Sequence, residues 1–129
     1  MSIFSKIVSG EILSYKIYED SNHLAFLDIF PISKGHVLVI PKKEIDYVFD
    51  MNDREYTQLL LFAKKTSLAI KKVINCKRVS LNIVGFDVPH VHIHLIPLNS
   101  ISDLNFEKQK LTFSEEEFKE IAESIREAI

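Results

Sequence analysis

Apolar residues recur along this chain with two periods, one near 3.6 and one near 2, and the switches between them mark out its elements. Ser2 predicts the N-cap of a short helix whose stripe is Phe4, Ile7 and Val8, closed by Gly10. Residues 15–18 and 23–28 read as strands around a turn at Asp20, Ser21 and Asn22. Pro31 and Gly35 punctuate the next connection, and 36–41 is an unbroken apolar run, the pattern of a central strand buried on both faces. Asn52 or Asp53 then caps a long helix. Its buried stripe is Tyr56, Leu59, Leu60, Ala63, Ile70, Val73 and Ile74, with Lys64, Lys65, Lys71 and Lys72 opposite. Strands are predicted over 77–84 and 90–97, separated by a tight loop at 85–89. Residues 99–112 carry no period. Ser114 and Glu117 form a capping box for a last helix striped by Phe118, Ile121, Ala122, Ile125 and Ile129. The expected class is α+β: a five-stranded, mainly antiparallel sheet with one long central helix, a short N-terminal helix and an extra C-terminal one.

Composition narrows the function classes. At 129 residues, 47% hydrophobic and 26% charged, the chain reads as one globular domain over 1–129 with a core of its own. A net charge of −2 argues against a nucleic-acid partner, which calls for a basic face. The single cysteine, Cys76, excludes an intrachain disulfide and a multi-cysteine zinc site. No apolar run is long enough to span a bilayer and no signal-peptide pattern opens the chain, so no membrane partner is expected and the cytoplasm is the expected compartment.

The chemistry concentrates in His90-Val91-His92-Ile93-His94-Leu95-Ile96-Pro97. Alternation puts three imidazoles on one face of a strand and Val91, Ile93 and Leu95 on the other. Four readings compete. As structural residues, three buried rings would carry a heavy hydrogen-bonding demand. As ligands of one metal ion they are too spread out, since alternate strand residues lie ~6.6 Å apart and His90 and His94 ~13 Å. Zinc needs its donors within a few ångströms of each other, so two of the three converge on an ion far more readily than all three. As a catalytic row on phosphorus, the same spread suits an extended anionic substrate. One neutral imidazole attacks while its neighbours contact the phosphoryl oxygens and the leaving group. A nucleotide-binding module without turnover is the fourth.

These residues match the His-φ-His-φ-His-φ-φ signature of the histidine triad (HIT) family, where φ is apolar. Three further segments resemble that family in the same order: Ile3-Phe4 through Gly10-Glu11-Ile12, Ala25-Phe26-Leu27-Asp28-Ile29 with Pro31, and Gly35-His36 through Pro41-Lys42-Lys43. The resemblance covers about residues 3–98 and leaves 99–129 as a C-terminal extension. It implies His92 as nucleophile, forming a nucleotidyl–histidine intermediate, with its Nδ1–H held by an acceptor. His94 would contact the α-phosphate and leaving group, and His90 and His36 would orient the cluster. Asp28 corresponds to the ribose-binding position, and Phe4, Ile7, Ile12 and Ile29 to the apolar clamp around the base. Asn82 and Val88 flank the loop on the substrate side. Lys42, Lys43 and His23 receive no role.

The loop before the triad departs from the pattern. Many relatives have a longer glycine-rich loop with a glutamine and a hydroxyl residue, where this chain has Phe86 and Asp87. A carboxylate beside a phosphoryl group repels it unless it is protonated or faces a cation, so Asp87 reads as a general acid/base, as the mark of a cationic leaving group, or as a cap of the turn before Pro89. The expected function is a phosphoramidate-type nucleotide hydrolase or transferase that cleaves a purine nucleoside 5′-monophosphate from its leaving group, without cofactor or metal. The alternatives are a dinucleoside polyphosphate hydrolase and a non-catalytic nucleotide- or metal-binding protein. A homodimer is implied by the same resemblance.

Overall fold

The computed structural model describes residues 1–129. Helix α1 is Ile3–Ser9, α2 is Asp53–Val73 and α3 is Glu115–Glu127; the strands are β1 Lys16–Glu19, β2 His23–Leu27, β3 Val37–Pro41, β4 Arg78–Asn82 and β5 Ile93–Leu98. They form one five-stranded sheet in the order β1-β2-β3-β5-β4, with every neighbouring pair antiparallel. The central position of β3, buried at all five residues, agrees with its unbroken apolar run.

Local chemistry sets the helix ends. Ser2 accepts the Ser5 N–H at the start of α1, and Gly10, at φ 87°, closes it in the left-handed conformation that L residues avoid. Asn52 with Glu55 and Ser114 with Glu117 form reciprocal capping boxes on α2 and α3. Two short 3-10 turns, Val48–Asp50 and Ile101–Asp103, were not legible in the pattern.

Strand alternation divides the core between the two faces of the sheet. Ala25, Leu27, Val37, Val39, Ile93 and Leu95 point to the side covered by α2 and α3, where they meet Leu59, Phe62, Ile70, Phe118 and Ile125. Each buried Val, Leu, Ile or Phe among these contributes about 1.5–3 kcal/mol. Leu24, Phe26, Leu38 and Ile40 point the other way, onto Phe4 and Ile7 of α1. This second face is covered by the short α1 and by loops.

Gly35 sets where the next residue, His36, falls. Its φ is +88°, and a Cβ there would lie 2.8 Å from Ile74 Cγ1 at the end of α2. The backbone conformation and the space both require glycine at the entry to β3.

Candidate active site

A row of directly paired residues crosses the face of the sheet that α1 covers. Asn82 on β4 faces His94 on β5, His94 faces Leu38 on β3, and Leu38 faces Phe26 on β2. The expected strand from His90 begins only at Ile93, because His90 N–H bonds Val88 O and Val91 N–H bonds Ile45 O, drawing this backbone away from β3. The alternation nevertheless persists. Val91 joins Ile93 and Leu95 in the main core, while His90, His92 and His94 are buried toward the other side. The His92 and His94 rings lie 5.1 Å apart, centroid to centroid.

Hydrogen bonds determine which nitrogen of each ring carries a proton. Ile32 N–H donates to His36 Nδ1 at 3.0 Å, so the His36 proton is on Nε2. That Nε2–H donates to His94 Nδ1 at 3.0 Å, which leaves His94 with its proton on Nε2, as a donor. Burial pushes the His36 pKa down to about 3 and that of His94 down to about 4, so both rings are neutral near pH 7. His90 donates from Nε2 to Pro41 O at 2.8 Å and accepts from the Ser2 hydroxyl at Nδ1, 2.7 Å. Burial lowers its pKa as well.

His92 differs from its neighbours. Its Nδ1 lies 2.8 Å from the His90 carbonyl oxygen, an acceptor only, so Nδ1 carries the proton and Nε2 an in-plane lone pair. Nε2 is buried and has no hydrogen-bond partner. Asp87 Oδ1 comes within 3.2 Å of it, but outside the alignment a hydrogen bond requires. An unprotonated, unpartnered and fixed imidazole nitrogen is a nucleophile in geometry.

The other residues singled out in the sequence fall around this nitrogen in different ways. Phe4 packs edge-on against both His92 and His90, at 4.9 and 5.9 Å between centroids, and clusters with Ile7, Ile12 and Val88. Asp28 accepts Phe30 N–H at 2.9 Å and reaches within 3.5 Å of His36 Nε2. Burial raises its pKa, and the nearby Asp87 charge adds to the rise. Asn82 accepts from the Ser80 hydroxyl at 3.0 Å. Ile29 stands outside the Phe4 cluster, 53% exposed, on a groove it shares with Leu13 and α3. Asp87 has a largely exposed side chain.

Three contributors were missed. Phe26, part of the family-like segment, received no role of its own, although it packs on Phe4 at 5.8 Å. Ser2 was read only as a helix cap, although it also holds His90 and is tied, with Ser5, to the Glu44 carboxylate. Phe106, in the unpatterned segment, packs edge-on against His94 at 5.0 Å.

Asp28, His36 and His94 bring their ligand atoms within 4.8 Å of one another, the spacing of a metal site. Their donors do not fit an ion. The His36 Nε2 that faces the cluster carries a proton, and the Ile32 N–H on Nδ1 blocks the opposite tautomer. The His90–His92 pair is no better, because both His90 nitrogens are engaged by protein partners.

The HIT domain family matches residues 9–101 of this chain. An uncharacterized HIT-like protein of Borreliella burgdorferi is 38% identical, with 95% of this chain and 94% of that protein covered. Adenosine 5′-monophosphoramidase hnt1 of Schizosaccharomyces pombe is 38% identical over 98% of this chain and 97% of its own. A crystal structure of a Hit-like protein from Bartonella henselae superposes with a TM-score of 0.86 at 29% identity, covering 99% of this chain and 96% of that one. The chain belongs to the HIT domain family.

Proposed function

We propose that this HIT-domain protein is a nucleotide hydrolase that releases a purine nucleoside 5′-monophosphate from an amine, through a nucleotidyl intermediate on His92. The observation that carries the reading is the buried, unpartnered lone pair of His92 Nε2. The name of the fission yeast relative, a monophosphoramidase, supports the same reaction class.

Nε2 attacks the α-phosphorus, a phosphorus–nitrogen bond to His92 forms, and the bond to the leaving amine breaks as that nitrogen takes a proton. Water supplies that proton, and the Asp87 carboxylate at the site attracts the ammonium that departs. The adduct is an imidazolium whose Nδ1–H stays on the His90 carbonyl. Water then attacks phosphorus, gives up a proton and releases the monophosphate with His92 neutral again. His94 Nε2–H donates to a phosphoryl oxygen, and His36 and His90 hold the geometry. Asp28 accepts from the ribose hydroxyls. Phe4, Ile7, Ile12 and Val88 receive the base, and Asn82 lies opposite His94 on the phosphate side, while Ile29, outside this cluster, takes no part in holding the base.

Asp87 favours an amine over the polyphosphate of a dinucleoside polyphosphate, because a second anion there meets a carboxylate. Adenosine 5′-phosphoramidate is the direct test. Release of adenosine 5′-monophosphate and ammonia is expected, with intact mass after rapid quenching showing a nucleotidyl adduct on His92. Nucleotide binding with neither turnover nor adduct would leave a binding module instead.

A homodimer belongs to the same proposal. Strand β4 is an open sheet edge with Leu81 half-exposed, and Leu61 and Leu68 lie uncovered on α2. Sedimentation should give twice the 14.9 kDa chain mass, and a monomer would reject pairing. The buried free thiol of Cys76 suits a reducing compartment such as the cytoplasm.

A further inference from the structure

We infer that Lys110 binds the α-phosphate of the nucleotide, held over the histidines by a strap of residues 104–112 that Phe106 and Leu111 pin in place. The inference rests on the nucleotide reading above and adds a residue that lies beyond the family match at 9–101.

Two contacts fix the strap. The Phe106 ring meets His94 at 5.0 Å with planes 73° apart, and Leu111 N–H donates to Pro31 O at 2.9 Å, on the loop that follows Asp28. Lys110, next to Leu111, is half-buried instead of extending into water. Its ammonium donates to the Phe106 and Lys108 carbonyls of the strap itself. An ammonium has three donors, so one remains unspent.

Charge gives that donor its purpose. Asp28 is half-buried at the site and Asp87 lies 3.2 Å from His92 Nε2, while His36 and His94 are neutral near pH 7. With only these groups a nucleotide phosphate would enter a negative pocket. Its bond to the Phe106 carbonyl keeps the Lys110 ammonium beside the residue whose ring packs on His94. A cation so positioned offsets the two carboxylates where the phosphate must sit.

Calorimetric titration with adenosine 5′-monophosphate and with adenosine separates phosphate contact from base and ribose contact. Lys110→Met should weaken the monophosphate about tenfold, or ~1.4 kcal/mol, and leave adenosine within about twofold. Lys110→Arg should restore most of the loss, and rising salt should shrink the difference between wild type and Lys110→Met. Unchanged monophosphate affinity in Lys110→Met, or equal weakening of both ligands, overturns the assignment while the nucleotide reading stands. Wild-type protein that binds neither ligand overturns both.

Discussion

His92→Ala is expected to lower turnover of adenosine 5′-phosphoramidate by roughly 10⁴-fold or more, while affinity for adenosine 5′-monophosphate changes by less than about tenfold. The split follows from where the residue acts. In the proposed mechanism Nε2 supplies the bond to phosphorus, and it is the buried imidazole nitrogen left without a hydrogen-bond partner. In the proposed mode, ribose and base contacts come from Asp28, Phe4, Ile7 and Ile12, which the substitution leaves in place. The lost ring opens a space beside Phe4, so thermal unfolding is recorded alongside the kinetics to separate chemistry from folding. Turnover within tenfold of wild type would remove His92 as nucleophile.

The second large effect is a loss of stability in mild acid. His36 and His94 hold folded-state pKa values of about 3 and about 4 because they are buried, whereas their rings titrate near 6.5 once the chain unfolds. Between those values the unfolded chain binds more protons, so the stability that both rings contribute is complete above about pH 6.5 and falls as pH drops. From pH 7.5 to 5 the loss is about 2 kcal/mol for each ring, at ~1.36 kcal/mol per pH unit. The raised carboxyl of Asp28 works in the opposite sense, returning some stability as it takes up its proton lower down. Urea unfolding at pH 7.5, 6 and 5 should show the midpoint falling steadily, and a flat midpoint over this window would contradict the neutral assignment of the pair.

Much of the architecture was legible because it is decided locally. Ser2, Asn52 and Ser114 announce their helices through a side chain and a backbone group at most three residues away. The strands of the sheet follow from alternation or from an unbroken apolar run. What escaped is decided at long range. The start of β5 moved from His90 to Ile93 because Ile45, far off in the chain, takes the Val91 amide. The second bond of Ser2 reaches His90 across 88 residues. Phe106 and Lys110 sit in a stretch with no period, so nothing in their neighbourhood distinguishes them from other surface residues. His36 and Asp28 were attached to the triad by resemblance rather than by spacing, and the sheet explains why. His36 enters β3 one residue before Val37, which pairs with Leu95 next to His94.

The Ile32 amide that bonds His36 has a bearing on how this pocket tolerates change. Side-chain partners that orient histidines, such as carboxylates, titrate and mutate. A peptide N–H does neither, and from it the direction of every proton through His36 to His94 is determined. The polarity of the His94 donor is therefore inherited from main chain, and an apolar residue of similar bulk at the buried position 32 preserves it, whereas proline has no hydrogen to give.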